Sequence, residues 1–134
     1  MLVADNTAIA HLHLQNEHGA LALAAYQRDP DWITVPLWRY EFSNVLWKLV
    51  RAGRLSPAAA NAGLRRALQR MIPQERQPDH VFALELALEH QITGYDAHYV
   101  ALAQSLALPL LTNDGELLKK FPGLAVSLAA FTAA

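Results

Sequence analysis

The sequence contains no cysteine, so disulfide bonds and thiolate metal sites are excluded. Such a composition suits a reducing cytosol. An excess of either charge is also missing, because 11 Lys and Arg stand against 12 Asp and Glu and the net charge is −1. A broad cationic surface for nucleic acid is therefore not expected. Any contact with nucleic acid must be local, or a metal ion must bridge to the phosphates.

Long apolar runs are missing as well, and none reaches the length of a membrane span. The N-terminal residues MLVADNTA carry no basic region, so they do not form a signal peptide. We therefore expect a cytoplasmic location and no membrane partner. The 134 residues contain no repeat, linker or low-complexity segment, which favours a single domain over residues 1–134 with its own hydrophobic core.

Runs of apolar and β-branched residues alternate with helical patterns along the chain. The run at 2–4 is fully apolar, which predicts a central strand. The segment 73–78 is a polar break with room for one short strand. The alternation predicts an α/β fold with a parallel sheet and helices on both faces. Strands are predicted at 2–4, 32–35, 108–112 and 124–128, and helices at 8–14, 16–26, 37–52, 57–71, 79–91, 95–106 and 116–121.

Four acidic residues occupy comparable junctions in this pattern. Asp5 and Asp114 each follow a predicted strand, and Asp114 lies in the turn of LLTNDGEL, residues 110–117. Glu41 is in the second turn of the helix after the second strand. Asp96 is in the first turn of the helix that leads into the third strand. Ligand sites of parallel sheets lie beyond the carboxyl edge, so we expect all four carboxylates to meet there.

Four crowded carboxylates must take up protons or bind a cation. An all-oxygen ligand set selects Mg²⁺ or Mn²⁺, and such ions suit the hydrolysis of phosphodiesters. The sequence therefore predicts that these acids bind metal and act in catalysis. Neighbouring polar residues are predicted to orient the ligands or metal-bound waters; they are Asn6, Thr7, Asn44, Thr112 and Asn113.

Each acid also has a simpler interpretation. Asp5 suits a helix N-cap, and Asp96 forms a variant capping box with Thr93. Asn113 and Asp114 suit an ordinary turn, and Glu41 suits a solvated helix face. Histidines and arginines near these elements are interpreted as structural or solvated groups and not as ligands or RNA contacts: His11, His13, His98, Arg65, Arg66 and Arg70.

Several of these segments together resemble the PIN domains, and within them the VapC-like toxins. The matching pieces are LVADNT, VPLWRYEFSNVLWK, TGYDAHYVALAQSLALPLLTND and LAVSL. The resemblance implies a three-layer α/β/α fold and Mg²⁺- or Mn²⁺-dependent endoribonuclease activity. It also implies a homodimer and a small inhibitory VapB-like antitoxin. By matching position, the family's acids correspond to Asp5, Glu41, Asp96 and Asp114, and its usual hydroxyl residue to Thr7. Asn6 departs from the small or hydroxyl residue common there.

Two other classes place acids after strands. A haloacid-dehalogenase-like phosphatase needs a second Asp two residues after the first, where this chain has Thr7. A receiver-like signalling module needs a mid-chain phosphoacceptor Asp at a strand end and a Lys on a late strand, and neither is evident. Both classes remain alternatives to the ribonuclease.

Overall fold

The computed structural model describes residues 1–14 and 16–133, and it has four strands with helices between them. The strands are β1 (Leu2–Ala4), β2 (Trp32–Ile33), β3 (Leu110–Leu111) and β4 (Ala125–Val126). The α-helices are α1 (Asn6–His13), α2 (Gly19–Arg28), α3 (Trp38–Arg51), α4 (Pro57–Met71), α5 (His80–His90), α6 (Gly94–Leu106), α7 (Gly115–Lys120) and α8 (Leu128–Ala133). A single 3₁₀ turn, Ile72–Gln74, follows α4.

The strands form one parallel sheet in the order β2-β1-β3-β4. Val3 of β1 lies between Ile33 of β2 and Leu110 of β3. The chain moves from β1 to one side for β2 and to the other side for β3. The carboxyl ends of β1 and β3 therefore flank the point where the strand order reverses, which is the usual ligand position in open α/β sheets. The predicted α/β fold and the central position of the first strand are confirmed.

The sheet is buried between helices that carry the bulky core residues. All of β1, β2 and β3 is buried, as expected for parallel strands covered on both faces. Trp38 and Phe42 of α3 and Tyr99 of α6 are among the largest fully buried side chains. Small buried residues such as Ala97 and Ala101 line α6, and they let this helix pack closely against β1.

The helix boundaries follow local capping chemistry. The Asp5 side chain accepts a hydrogen bond from the Ala8 amide, so α1 begins at residue 6 and not at residue 8. The Ser56 side chain caps α4 at the predicted position. After α3 the chain turns at Gly53, whose φ of 71° lies in the left-handed region that favours glycine.

The ends of the sheet differ in detail from the sequence-based expectation. Within 73–78, where there is room for one short strand, the structure has a parallel bridge from Thr34 to Glu75 after the 3₁₀ turn. The predicted strand at 124–128 ends at Val126, and α8 follows it. The Leu128 amide donates to Oδ1 of Asn113 at 3.1 Å, so a distant side chain fixes the start of this helix.

A search for membrane-spanning helices among the described residues finds no helix with the length and apolar character that a crossing would need.

Candidate active site

Asp5 lies directly after β1 and is only 4% exposed. The Thr7 hydroxyl donates to its Oδ1 at 2.6 Å, and the Thr112 hydroxyl donates to its Oδ2. The Ala8 amide donates to Oδ1 at 3.2 Å. Both carboxylate oxygens are therefore held by donors from two different elements, α1 and the segment after β3.

The two threonines connect Asp5 to the segment that carries Asp114. The Asn113 amide donates to the Thr7 hydroxyl at 2.8 Å, and the Asp114 amide donates to the Thr112 hydroxyl at 2.9 Å. Each hydroxyl thus accepts from one backbone amide and donates to the Asp5 carboxylate. This network fixes the carboxyl ends of β1 and β3 relative to each other.

Glu41 reaches the same edge from the first turn of α3. Its Oε1 accepts a hydrogen bond from the Tyr99 hydroxyl at 2.7 Å. Tyr99 is 1% exposed, so the bond anchors the Glu41 carboxylate to the buried side of α6. Tyr99 was missed by the sequence analysis. It lies three residues after Asp96 and hence on the same face of the helix, which was the available signal.

Asp96 and Asp114 both lie at helix starts, as their simpler interpretations predict. The Asp96 amide donates to the Thr93 hydroxyl at 3.0 Å, which is the expected cap of α6. The Asp114 carboxylate accepts from the amides of Glu116 and Leu117 at 2.9 and 3.1 Å and caps α7. Capping therefore occurs at both positions, in addition to any role in a common site.

Electrostatic coupling shows that the four acids share one neighbourhood. Burial raises the pKa of Glu41, and the charges of Asp96, Asp5 and Asp114 raise it further, against the Tyr99 hydrogen bond that lowers it. Burial likewise raises the pKa of Asp96, and the charge of Asp114 adds to this effect. The fold therefore brings the predicted residues Asp5, Glu41, Asp96 and Asp114 to the carboxyl edge of the sheet.

Burial also dominates the electrostatics of Asp5. It raises the pKa of this carboxyl to about 6, although hydrogen bonds from Thr112, Thr7 and Ala8 act in the opposite direction. The charge of Asp96 raises the Asp5 pKa slightly further. A negative charge at this position is thus costly without a nearby cation.

Cationic side chains do not compensate the cluster. None of the ion pairs among residues 1–14 and 16–133 includes Asp5, Glu41, Asp96 or Asp114. Arg39, which is close to Glu41 in sequence, instead forms a two-bond ion pair with Glu75.

The donor chemistry fits a hard cation, since the acids supply only carboxylate oxygens. Their present spacing does not form a finished site: in the described part of the chain, no three His, Asp or Glu side chains stand close enough to hold an ion. Glu41 is turned to Tyr99, and Asp114 is turned to the start of α7. Ion binding would therefore need these side chains to rotate toward a common point.

The predicted supporting residues divide into three groups. Thr7 and Thr112 bind Asp5 directly. Asn6 has a buried Oδ1 that finds no hydrogen-bond partner among the described residues. Asn113 anchors α8 through its side chain, and Asn44 is exposed on α3.

The histidines outside the cluster have partners of their own. His13 is buried and its Nδ1 pairs with the Ile9 carbonyl at 2.8 Å, while His11 pairs with Asn16. His98 contacts His80 and the Gly94 carbonyl. The arginines of α4 are exposed, as predicted; Arg65 bonds Asn61, Arg66 is exposed, and Arg70 stacks on Tyr26.

Comparisons with known proteins identify the family of the chain. The model of the PIN domain matches residues 2–124. The chain is 39% identical over 129 residues to "Ribonuclease VapC3" of Pyrobaculum aerophilum, covering 92% of this chain and 96% of that protein. It is 44% identical over 85 residues to "Exonuclease VapC9" of the same organism, covering 63% of this chain and 62% of that protein.

A solved structure extends the match to the whole fold. The crystal structure of PAE2754 from Pyrobaculum aerophilum aligns with a TM-score of 0.80 and 30% identity, covering 98% of this chain and 93% of that one. The family model, the curated relatives and this structural match therefore show that the chain belongs to the PIN-domain family as a VapC-like member.

Proposed function

We propose that the protein is a Mg²⁺- or Mn²⁺-dependent endoribonuclease, the toxin of a toxin–antitoxin pair, acting in the cytoplasm as a single PIN-like domain over residues 1–134. The observation that carries the proposal is a group of four carboxylates at the point where strand order reverses, none of which takes part in an ion pair among the described residues. The names of the related proteins support a nuclease, and "Ribonuclease VapC3" supports RNA as the substrate.

In this proposal Asp5, Glu41, Asp96 and Asp114 hold the ion. When bound, a divalent cation supplies an activated water and charge that stabilises the developing oxyanion and the leaving oxygen. The raised pKa values of Asp5 and Glu41 support this assignment, because a nearby cation would offset the cost of their burial.

The surrounding residues orient these acids. Thr7 and Thr112 each use one hydroxyl proton on Asp5, which leaves further lone pairs on both oxygens for a ligand. The Tyr99 hydroxyl binds Oε1 of Glu41, and among the described residues no hydrogen bond engages Oε2. The buried Oδ1 of Asn6 is suited to receive a hydrogen bond from a bound water.

The direct test is RNA cleavage by the purified protein with Mg²⁺, Mn²⁺, Zn²⁺ or EDTA. We expect activity with Mg²⁺ or Mn²⁺ and little in EDTA. Asp5→Asn should abolish cleavage. Asp79→Asn is the matched control, because Asp79 also caps a helix through its carboxylate but lies outside the cluster. Full activity in EDTA, or activation by Zn²⁺ alone, would contradict the metal mechanism.

Circular RNA separates an endonuclease from an exonuclease, a distinction raised by the name "Exonuclease VapC9". A circle has no end, so only an endonuclease can open it. We expect one linear product of full length before shorter fragments appear. If linear RNA is degraded while the circles stay intact, the protein is an exonuclease and not an endonuclease.

The toxin assignment adds a protein partner. A cluster of uncompensated carboxylates is suited to receive an arginine, whose guanidinium can bind a carboxylate through two hydrogen bonds. We expect toxicity when the protein is expressed alone and inhibition by a small co-expressed antitoxin. A co-purifying partner whose removal leaves RNA cleavage unchanged would argue against inhibition.

The two alternative classes receive no specific support. Thr7 donates to Asp5 where a haloacid-dehalogenase-like phosphatase needs a second carboxylate. Hydrolysis of p-nitrophenyl phosphate without RNA cleavage would favour that phosphatase. A receiver-like module would instead become phosphorylated by acetyl phosphate.

A further inference from the structure

A small open cavity of about 230 Å³ lies beside the acid cluster. It is formed by the segment after β2, the loop before α5 and the first turns of α5 and α6. Its walls include Pro36, Leu37, Pro78, His80, Tyr95 and His98. None of these residues has a role in the proposed metal site.

Two backbone connections place residues of the cavity wall within about one helical turn of the acids. Tyr95 immediately precedes Asp96 on α6. Leu37 caps α3, and its carbonyl accepts the Glu41 amide at 3.2 Å. One helical turn rises about 5.4 Å, so a group in the cavity is adjacent to the cluster. Asp96 and Tyr99 occupy the face toward the acids, whereas Tyr95 and His98, three residues apart, share another face.

The walls suit a flat ring. Two proline rings and the ring of Tyr95 line a cavity whose exposed lining is almost entirely apolar. Tyr95 is 65% exposed, so the face of its ring is accessible to a ligand. Exposed aromatic rings are the common stacking platforms for unpaired nucleobases.

A pair of hydrogen-bonded histidines lies in one wall. His98 Nδ1 is hydrogen-bonded to the Gly94 carbonyl, and His98 Nε2 is paired with His80 Nδ1 at 2.8 Å. Three of the four ring nitrogens are therefore engaged, and the pair does not select one base over another.

A second cavity of about 380 Å³ continues the first, since both are lined by Pro36 and Gln77. It contains Arg39 and Arg76. Arg39 is neutralised by Glu75, but Arg76 donates to a backbone carbonyl and belongs to none of the ion pairs found among residues 1–14 and 16–133. Its guanidinium can therefore bind a phosphate.

We propose that the groove formed by these two adjoining cavities binds one nucleotide of single-stranded RNA next to the bond that is cut, with the base on Tyr95 and a phosphate on Arg76. The inference rests on the proposed ribonuclease function and adds a nucleotide site to it. A side chain of a protein partner is the other occupant, and the test below separates the two.

The base contact is tested by abasic substitution in a short RNA that the protein cleaves at one bond. We expect one position near that bond where loss of the base weakens binding and lowers kcat/KM. Tyr95→Ala should weaken binding of the intact RNA by roughly 5- to 150-fold, the range for one stacked base. It should have no further effect on RNA already abasic at that position. Tyr95→Phe should retain the affinity.

Trp47→Ala is the matched control. Trp47 is also an exposed aromatic residue, but it is on α3 and lies outside the groove. It should bind intact and abasic RNA like the parent protein. Binding is measured by fluorescence anisotropy in EDTA, so the affinities do not depend on turnover or on metal.

The phosphate contact has a separate readout. Arg76→Ala should weaken all sequences equally and reduce the slope of log K against log salt concentration by about 0.7, the value for one contact to a single strand.

The outcomes separate the two proposals. If RNA is cleaved but Tyr95→Ala acts equally on intact and abasic RNA, the nucleotide site is wrong and the ribonuclease stands. If no RNA is cleaved, the function falls, and anisotropy with a set of short RNAs that are each abasic at one position still decides whether a base occupies the groove. AMP, CMP, N-acetylleucine amide and N-acetylphenylalanine amide complete the test by NMR. Shifts of Tyr95 caused by the amides and not by the nucleotides would assign the cavity to a protein side chain.

Discussion

At the scale of single residues, Asp5 combines two opposing influences. Its burial favours the neutral carboxyl, whereas three hydrogen bonds from Thr7, Thr112 and Ala8 favour the carboxylate. Burial is the larger effect, so the pKa is raised to about 6. The charged form of Asp5 lowers the stability of the fold, although three donors hold its carboxylate in place. This combination is expected of a residue that binds a cation.

This balance predicts a pH-dependent cost of folding. The pKa of Asp5 is higher in the folded than in the unfolded state. Its contribution to the free energy of unfolding is therefore fully present below pH 4 and is lost as the pH rises through 6. The loss is at most about 3 kcal/mol in the free energy of unfolding. We expect Asp5→Asn to remove this decline and to be more stable than the parent protein at pH 7 in EDTA. Urea unfolding at pH 4, 5, 6 and 7 measures it.

Asp79→Asn serves again as the control, because it changes a helix-capping carboxylate that lies on the surface. Its free energy of unfolding should follow the pH dependence of the parent protein. If the free energy of unfolding of Asp5→Asn and of the parent protein changed with pH in the same way, burial of the charged Asp5 carboxylate would not destabilise the fold.

At the scale of secondary-structure elements, α6 serves both parts of the site. One face presents Asp96 and Tyr99 to the acids, and another presents Tyr95 and His98 to the cavity. Buried alanines keep the helix close to β1. Small displacements of this one helix would therefore affect the acids and the neighbouring cavity together.

Asp96→Asn separates a role in the cluster from a role in capping. The bond between the Thr93 hydroxyl and the residue 96 amide survives the change, so α6 keeps its cap. Loss of a favourable charge at a helix start alone would cost about 0.3–1 kcal/mol with or without Mg²⁺. Cluster membership instead predicts that the metal-free variant is no less stable, because repulsion from Asp114 is relieved.

Thermal melts of both proteins with EDTA and with saturating Mg²⁺ provide the measurement. A bound ligand at a hundredfold excess over its dissociation constant stabilises the native state by about 2.7 kcal/mol. We expect a clearly smaller Mg²⁺-induced shift in Asp96→Asn, together with lost RNA cleavage. Equal shifts with cleavage retained would leave Asp96 as a helix cap and remove it from the site.

The elements also explain how far the sequence could be used for prediction. Alternation of strands and helices is a local pattern, and parallel topology then requires that strand ends and helix starts share one edge. The convergence of Asp5 and Asp114 follows from that rule alone. The bond from Tyr99 to Glu41 joins residues 58 positions apart and depends on how α3 and α6 pack. No local pattern encodes such a contact.

The same limit accounts for the error at the last strand. The six residues of α8 carry little helical pattern, and Asn113, 15 positions earlier, fixes where the helix starts. Arg39 is likewise close to Glu41 in sequence, but it binds Glu75 in the folded chain. Distant side chains decided both outcomes, although the local strand and helix patterns were largely correct.

At the scale of the whole molecule, α5 has an exposed apolar face, in contrast to the polar carboxyl edge of the sheet. Val81, Leu84 and Leu88 of α5 are 69%, 58% and 74% exposed. Their spacing of three and four residues places them on one face of the helix. A second copy of the chain is the partner expected from the family resemblance, and this apolar face is suited to contact it. A stable interface buries about 800 Å² on each partner, so neighbouring residues must contribute as well.

We therefore expect a homodimer that contains the α5 face. The double variant Leu84→Glu with Leu88→Glu should be monomeric, because two buried charges in an apolar contact lack partners. Leu23→Glu is the control, since Leu23 is also an exposed leucine but lies on α2. Light scattering coupled to size-exclusion chromatography gives the mass of each variant over a range of concentrations. A parent protein that stays monomeric throughout, or a double variant that remains dimeric, would show that α5 is not the dimer contact.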